Sequence, residues 1–157
     1  MSKFSGFAPL KDQEDLLKKM KHDLGRMKSD PTDSYAAFDF FVTSEHMLDW
    51  GFPNDRAKMK SMRKQHKILQ IVSHIANGAK HFEATSPHHQ SVDDLSFSQG
   101  GFDSNSFCTK SFDPSSFKFS GLTINLSDGE SIHASDLAEE VYAFWTRNLS
   151  GEAQHNR

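Results

Sequence analysis

A single cysteine, Cys108, stands in 157 residues, so no intrachain disulfide can form and a reducing compartment is expected. No apolar run exceeds a few residues, which excludes a membrane-spanning helix. The opening stretch, MSKFSGFAPLKDQEDLL, lacks the apolar core of a signal peptide, so the expected location is the cytoplasm, with no membrane partner. Walker, GxGxxG, GxSxG, HExxH and paired-cysteine spacings are all missing. That removes the common nucleotide, hydrolase and zinc signatures, and neither cofactor nor metal is expected. A strong charge of one sign is also missing, since the formal net is −3.

Phenylalanine and histidine are plentiful instead, at 14 and 9 residues. Phenylalanines bring large apolar areas into a core from few positions. Hydrophobic residues make up 36% of the chain and charged residues 25%, which fits one globular domain, 1–157. The charge is unevenly placed. Residues 1–85 carry 14 Lys and Arg against 11 Asp and Glu, whereas residues 86–157 carry 4 against 10.

Leu16, Leu17, Met20, Leu24 and Met27 recur at three- and four-residue spacing, which predicts a first helix from about Lys11 to Lys28, closed by Pro31. Asp33 or Ser34 caps a second helix that ends near Trp50, before Gly51 and Pro53. Its apolar residues run almost all round the wheel, as in the central helix of a bundle. A third helix spans about Lys64 to Phe82, and 54–63 forms either a separate basic turn or its beginning. From 86 to 115 the chain turns to Ser, Gly, Asp and Phe without helical period, and reads as a loop. Phe97, Phe102, Phe107, Phe112 and Phe117 fall five apart, a pitch that resembles pentapeptide-repeat solenoids, although the small residues expected two positions earlier are mostly missing. The other reading is a loop that pins its Phe side chains onto the core.

Residues 116–150 read as a hairpin and a last helix. Phe117, Phe119, Leu122, Ile124 and Leu126 alternate with polar residues, with a slip at Ser120-Gly121 that suggests a bulge; Asp128-Gly129 makes the turn, and Ser135 caps the helix. The expected fold is therefore α+β: a bundle of about four helices (10–85 plus the last), with a Phe-rich loop and a β-hairpin inserted before the last helix. Its expected core holds Phe38, Phe41, Trp50, Ile68, Val72, Ile75, Phe144 and Trp145.

Three sets of polar residues are candidates for chemistry. Opposite the apolar stripe of the third helix, Gln70, His74, Asn77 and His81 share a sector, with Lys80 one step round. Imidazoles beside an amide and a cation can hold phosphate or move a proton near neutral pH, but polar residues also fill any solvated face. Gly78 interrupts that helix, which points to a close neighbour, either another helix or a ligand. On the second helix, His46 and Asp49 offer a base with an acid beside it, part of a polar or His/carboxylate metal site with His74 or His81, or a satisfied structural pair. Arg56, Lys58, Lys60, Arg63, Lys64 and Lys67 follow one another with no acid between them, which suits the phosphates of a nucleic acid or a solvated helix face.

The segment Ile75-Ala-Asn-Gly-Ala-Lys-His81-Phe82 resembles the HEPN superfamily of helical bundles, many of which are RNA-cleaving toxins or defence proteins. Asn77 and His81 match the Asn and His of the family motif, and Ala76 stands where its Arg would be. Together with Glu45-His46, Asp49-Trp50 and Phe144-Trp145, the segment is also similar to bacterial and mobile-element proteins of no assigned function. The resemblance implies an intracellular bacterial or phage-type protein that binds RNA or a nucleic-acid-processing partner without catalysis, with a homodimer left open. A second implied reading is a metal-independent ribonuclease using His81, with Asn77 and Lys80 on the phosphate. A third is a protein-binding inhibitor or antitoxin-like module that docks through the Phe residues of 90–117.

Overall fold

In the computed structural model, residues 4–85, 87, 89–98 and 120–155 are described, the last five by backbone alone. Five helices and three strands follow in the order α1 (Gln13–Ser29), α2 (Ser34–Gly51), α3 (Arg56–Gln65), α4 (Lys67–His81), β1 (Val92–Ser98), β2 (Gly121–Leu126), β3 (Ser131–His133) and α5 (Ala134–His155). The fold is α+β, with a hairpin directly before the last helix.

Aspartates start the first three helices. Asp12, Asp33 and Asp55 each accept a backbone N–H three residues on, at 2.9, 2.8 and 2.9 Å, which satisfies a donor the helix itself cannot pair. α4 has no such side-chain cap. It begins where His66 takes an extended conformation and separates it from α3. The basic residues from 56 to 65 are therefore a helix of their own, not the beginning of a long third helix. Met59 and Met62 of α3 pack partly buried against the core, while α4 buries Leu69, Val72, Ile75 and Ala76.

The core lies between α1, α2, α4 and α5 and continues under the sheet through Ile124 and Leu126. Phe41, Val72, Ile75, Phe144 and Trp145 are buried as expected, and Trp50 and Ile68 pack partly buried against them. Phe38 is the exception, at 52% exposure; Phe40 takes the central position instead. A charged network braces the α1–α2 pair. Arg26 reaches Asp39 at 3.0 Å and Asp33 at 3.2 Å, and the buried Asp23 accepts from Lys19 at 2.6 Å. A charge taken out of water needs such partners.

The sheet is antiparallel in the order β1-β2-β3. Gly129 turns β2 into β3 with φ of +88°, and Leu126 and Glu130 close the turn by a 2.8 Å backbone bond, as Asp128-Gly129 foretells. Strand β1 lies within the stretch expected to be a loop. Its alternation is hidden because the register slips between Val92 and Asp94, so Val92, Leu95 and Phe97 share one face, that of their partners Leu126, Ile124 and Leu122. β2 begins at Gly121, and the residues before Ser120 that would complete the slip expected at Ser120-Gly121 lie outside the described residues. The last helix starts at Ala134, so Ser135 lies in its first turn and is not its cap, and it continues to His155. The Phe repeat from Phe102 to Phe117, Phe119 and Cys108 lie outside the described residues.

Candidate functional site

The polar sector of α4 is divided between two neighbours and solvent. Gln70 donates its Nε2–H to the Arg63 carbonyl at 3.0 Å and so holds the end of α3. His74 Nδ1 accepts the backbone N–H of Val92 at 3.0 Å and so holds the start of β1. Accepting at Nδ1 requires the lone pair, which makes this ring the neutral tautomer with its proton on Nε2. Burial lowers the pKa of His74, and the nearby Asp93 opposes that shift. The ring of His89 stacks on it at 5.4 Å, and His89 is half-buried.

Asn77 lies half-buried, and Lys80 and His81 are exposed in the last turn of α4. Cations there complement the negative end of the helix dipole, which is a structural reason for both. His74 and His81 are not joined in one cluster. Ala76, standing where the HEPN motif has Arg, is buried, whereas His81 faces solvent.

Beside His74 a cleft of about 560 Å³ opens between the start of α2, the end of α4 and strand β1. Phe41 and Ile75 form its floor; Phe38, Phe82 and Leu95 stand at 52%, 93% and 41% exposure. Two residues lining it are poor choices for stability. Gly78 sits inside α4, costing about 1 kcal/mol relative to alanine, yet nothing lies within 4 Å of where its Cβ would be. The close neighbour that a mid-helix glycine suggests is thus not a packed helix; the glycine opens onto the cleft. Phe82 caps α4 with φ of +65°, a conformation costing a bulky residue about 1 to 3 kcal/mol. Among the described residues, the charged members of the lining are Asp93 and Asp94, with no Lys or Arg. Sequence reasoning missed both aspartates, since Val92-Asp93-Asp94-Leu95 does not alternate.

The basic run is also divided. Arg63 is half-buried and ion-paired with Glu45, which also accepts from the Ser73 hydroxyl at 3.2 Å. Burial pushes the Glu45 pKa up despite Arg63, with Asp49 adding to the rise. Lys67 pairs with Asp128 at 2.6 Å and ties α4 to the β2–β3 turn. Arg63 thus serves the fold, and Lys67 is engaged by the acidic half of the chain. Arg56, Lys58, Lys60 and Lys64 are exposed on α3, which carries no acid and has no ion pair from these four among the described residues.

His46 and Asp49 approach to 3.7 Å on the surface of α2, both side chains 53% exposed, which is beyond direct hydrogen-bond length. Neither lines the cleft. Among the described residues, no group of three His, Cys, Asp or Glu is placed to hold a metal ion, and no helix is long and apolar enough to cross a membrane. In comparisons with protein-family models, curated proteins and solved structures, none matches the chain.

Proposed function

We propose that the protein is a non-catalytic RNA-binding module, of the HEPN-like kind its sequence resembles, that grips the RNA backbone with α3. The observation that carries this reading is the set of exposed cations on α3, Arg56, Lys60 and Lys64 in one i, i+4 stripe and Lys58 over the Phe52 ring, with no acid on the same helix. Cations so placed neutralise phosphates and release counterions without reading sequence. The inward face carries Met59 and Met62 against the core, so α3 has no spare apolar side to insert into lipid. A binding role is favoured over ribonuclease action because His81 makes no hydrogen bond or ion pair among the described residues. A general base or acid needs a neighbour that orients it.

The test is fluorescence anisotropy with a labelled single-stranded RNA of 20 nucleotides across a salt series. Four phosphate contacts predict a slope of log affinity on log salt of about −3. Lys60→Glu/Lys64→Glu should abolish binding with an unchanged circular-dichroism spectrum, and the RNA should stay intact in chelator. Affinity indifferent to salt or to this double reversal would overturn the reading, and cleavage that disappears in His81→Ala would replace it with the ribonuclease.

A further inference from the structure

The geometry points to a second docking site, independent of α3: we propose that the cleft and the outer edge of β1 accept an extended, basic-and-apolar segment of a partner protein, added to the sheet as a fourth strand.

β1 is seven residues long and pairs on one side, with β2; among the described residues no strand pairs with its other side. An edge of that length is a template for an incoming strand, whose main chain supplies affinity while alternate side chains enter pockets. Here the pocket lies directly beside the edge. Leu95 belongs both to β1 and to the cleft wall, so a strand laid along β1 would turn every second side chain toward Phe38, Phe82 and the space left by Gly78.

Charge fixes the occupant. Asp93 and Asp94 belong to the cleft lining, which among the described residues includes no Lys or Arg, and His74 there has its Nδ1 lone pair engaged by Val92. Such a site repels phosphates, so it is not a continuation of the RNA surface. It favours Lys or Arg alternating with apolar residues. A second copy of this chain fits less well. Antiparallel pairing of β1 with itself about Leu95 would set Asp94 diagonally across from its counterpart on the same face, a like-charge arrangement.

The experiment is a titration of the full chain, followed by amide NMR, with three synthetic probes: the peptide KVKFKVK, its acidic counterpart EVEFEVE, and KVKFKVK carrying N-methyl groups on alternate residues. KVKFKVK should slow amide exchange in 94–98 and shift residues 78–82, whereas EVEFEVE should not bind. N-methylation along the edge-facing side should weaken binding at least tenfold, since it removes strand hydrogen bonds but keeps charge and side chains. Asp93→Lys/Asp94→Lys should weaken it tenfold or more. Gly78→Leu, which fills the cleft without touching β1, should do the same and covers the event that the double variant does not fold. No binding of KVKFKVK at millimolar concentration, equal binding of EVEFEVE, indifference to N-methylation, or undiminished affinity in Gly78→Leu would each overturn the proposal. Dimerisation of the full chain that the peptide fails to displace from β1 would assign the edge to a second copy instead.

Discussion

His74 Nδ1 and the Val92 backbone N–H, 3.0 Å apart, tie the third turn of α4 to the first residue of β1. The bond survives only while Nδ1 keeps its lone pair. Around the ring lie the His89 imidazole, the Ser91 hydroxyl at 3.5 Å and the carboxylate of Asp93. Burial is the largest influence and lowers the pKa, so the folded state binds a proton more weakly than the unfolded chain. The stabilisation is therefore complete above the ordinary imidazole value of about 6.5 and is lost as pH falls through the lower folded value. Exchange of the Val92 amide, corrected for its intrinsic rate, should accelerate between pH 7.5 and 5 relative to Leu126. His74→Ala should speed it at both pH values and remove the pH dependence. Constant protection in the native chain would show that the bond does not hold β1.

Glu45 carries the opposite sign. Its raised pKa means that the folded state binds the proton more tightly than the unfolded chain does. That contribution is present below the ordinary carboxyl value of about 4.3 and fades as pH rises through the higher folded value. Glu45→Gln keeps acceptors for Arg63 and Ser73 but removes the titration. Urea unfolding should find this variant gaining on the native chain from pH 4 to pH 7. Parallel stability profiles would count against a buried, titrating Glu45.

The six cations expected to act together should separate by mutation. Arg63→Glu sets a second carboxylate beside Glu45 and should cost about 2–3 kcal/mol, less than for a fully buried pair because Arg63 is partly exposed. Lys60→Glu/Lys64→Glu should stay within about 0.5 kcal/mol, as exposed substitutions do. Chemical denaturation of the two variants decides. Similar losses in both would mean that α3 depends on its overall charge and not on the Glu45 pair.

Gly78 and Phe82 should both be improvable. Gly78→Ala has open space and a helical backbone, and should raise stability by about 0.5–1 kcal/mol. Phe82→Gly relieves a positive φ and exposes no buried side chain, and should gain about 1 kcal/mol. Thermal melts of the two variants and their combination check this. A loss of stability in Gly78→Ala would mean that the cleft wall is already tightly packed.

Trp145 is 2% exposed and meets Phe144 edge-on at 5.2 Å. Its truncation to alanine should cost about 3–5 kcal/mol, the range for large buried aromatics. An unchanged melting temperature would mean that α5 does not pack on the bundle.

The helical pattern was legible wherever one face met water and the other the core, as for Leu16, Met20, Leu24 and Met27. It was ambiguous on α2, whose apolar residues encircle the helix. The wheel gives no reason why Phe40 is enclosed while Phe38 stands half in solvent; that follows from where α4 and the sheet stop. The break at His66 was hidden because neither glycine nor proline marks it, and two helices separated by one extended residue read as one. β1 was hidden by its own bulge, which shifts Val92 out of phase with Leu95 and Phe97. Of the candidate site, His74 was visible as part of a polar face, but its partner Val92 is a backbone group and leaves no trace in composition. Asp93 and Asp94 read as loop residues until the strand placed them on a wall.

The two connections of the sheet differ in length: four residues, 127–130, join β2 to β3, and twenty-two, 99–120, join β1 to β2. Closing the longer one costs about 1.5 kcal/mol more in chain entropy. β2 and β3 therefore pair early, and α5 follows from β3 without an intervening residue. On closure cost alone β1, the edge on which a partner strand would be laid, is the costlier of the two strands to add to β2, and the bond from His74 on α4 offsets part of that cost.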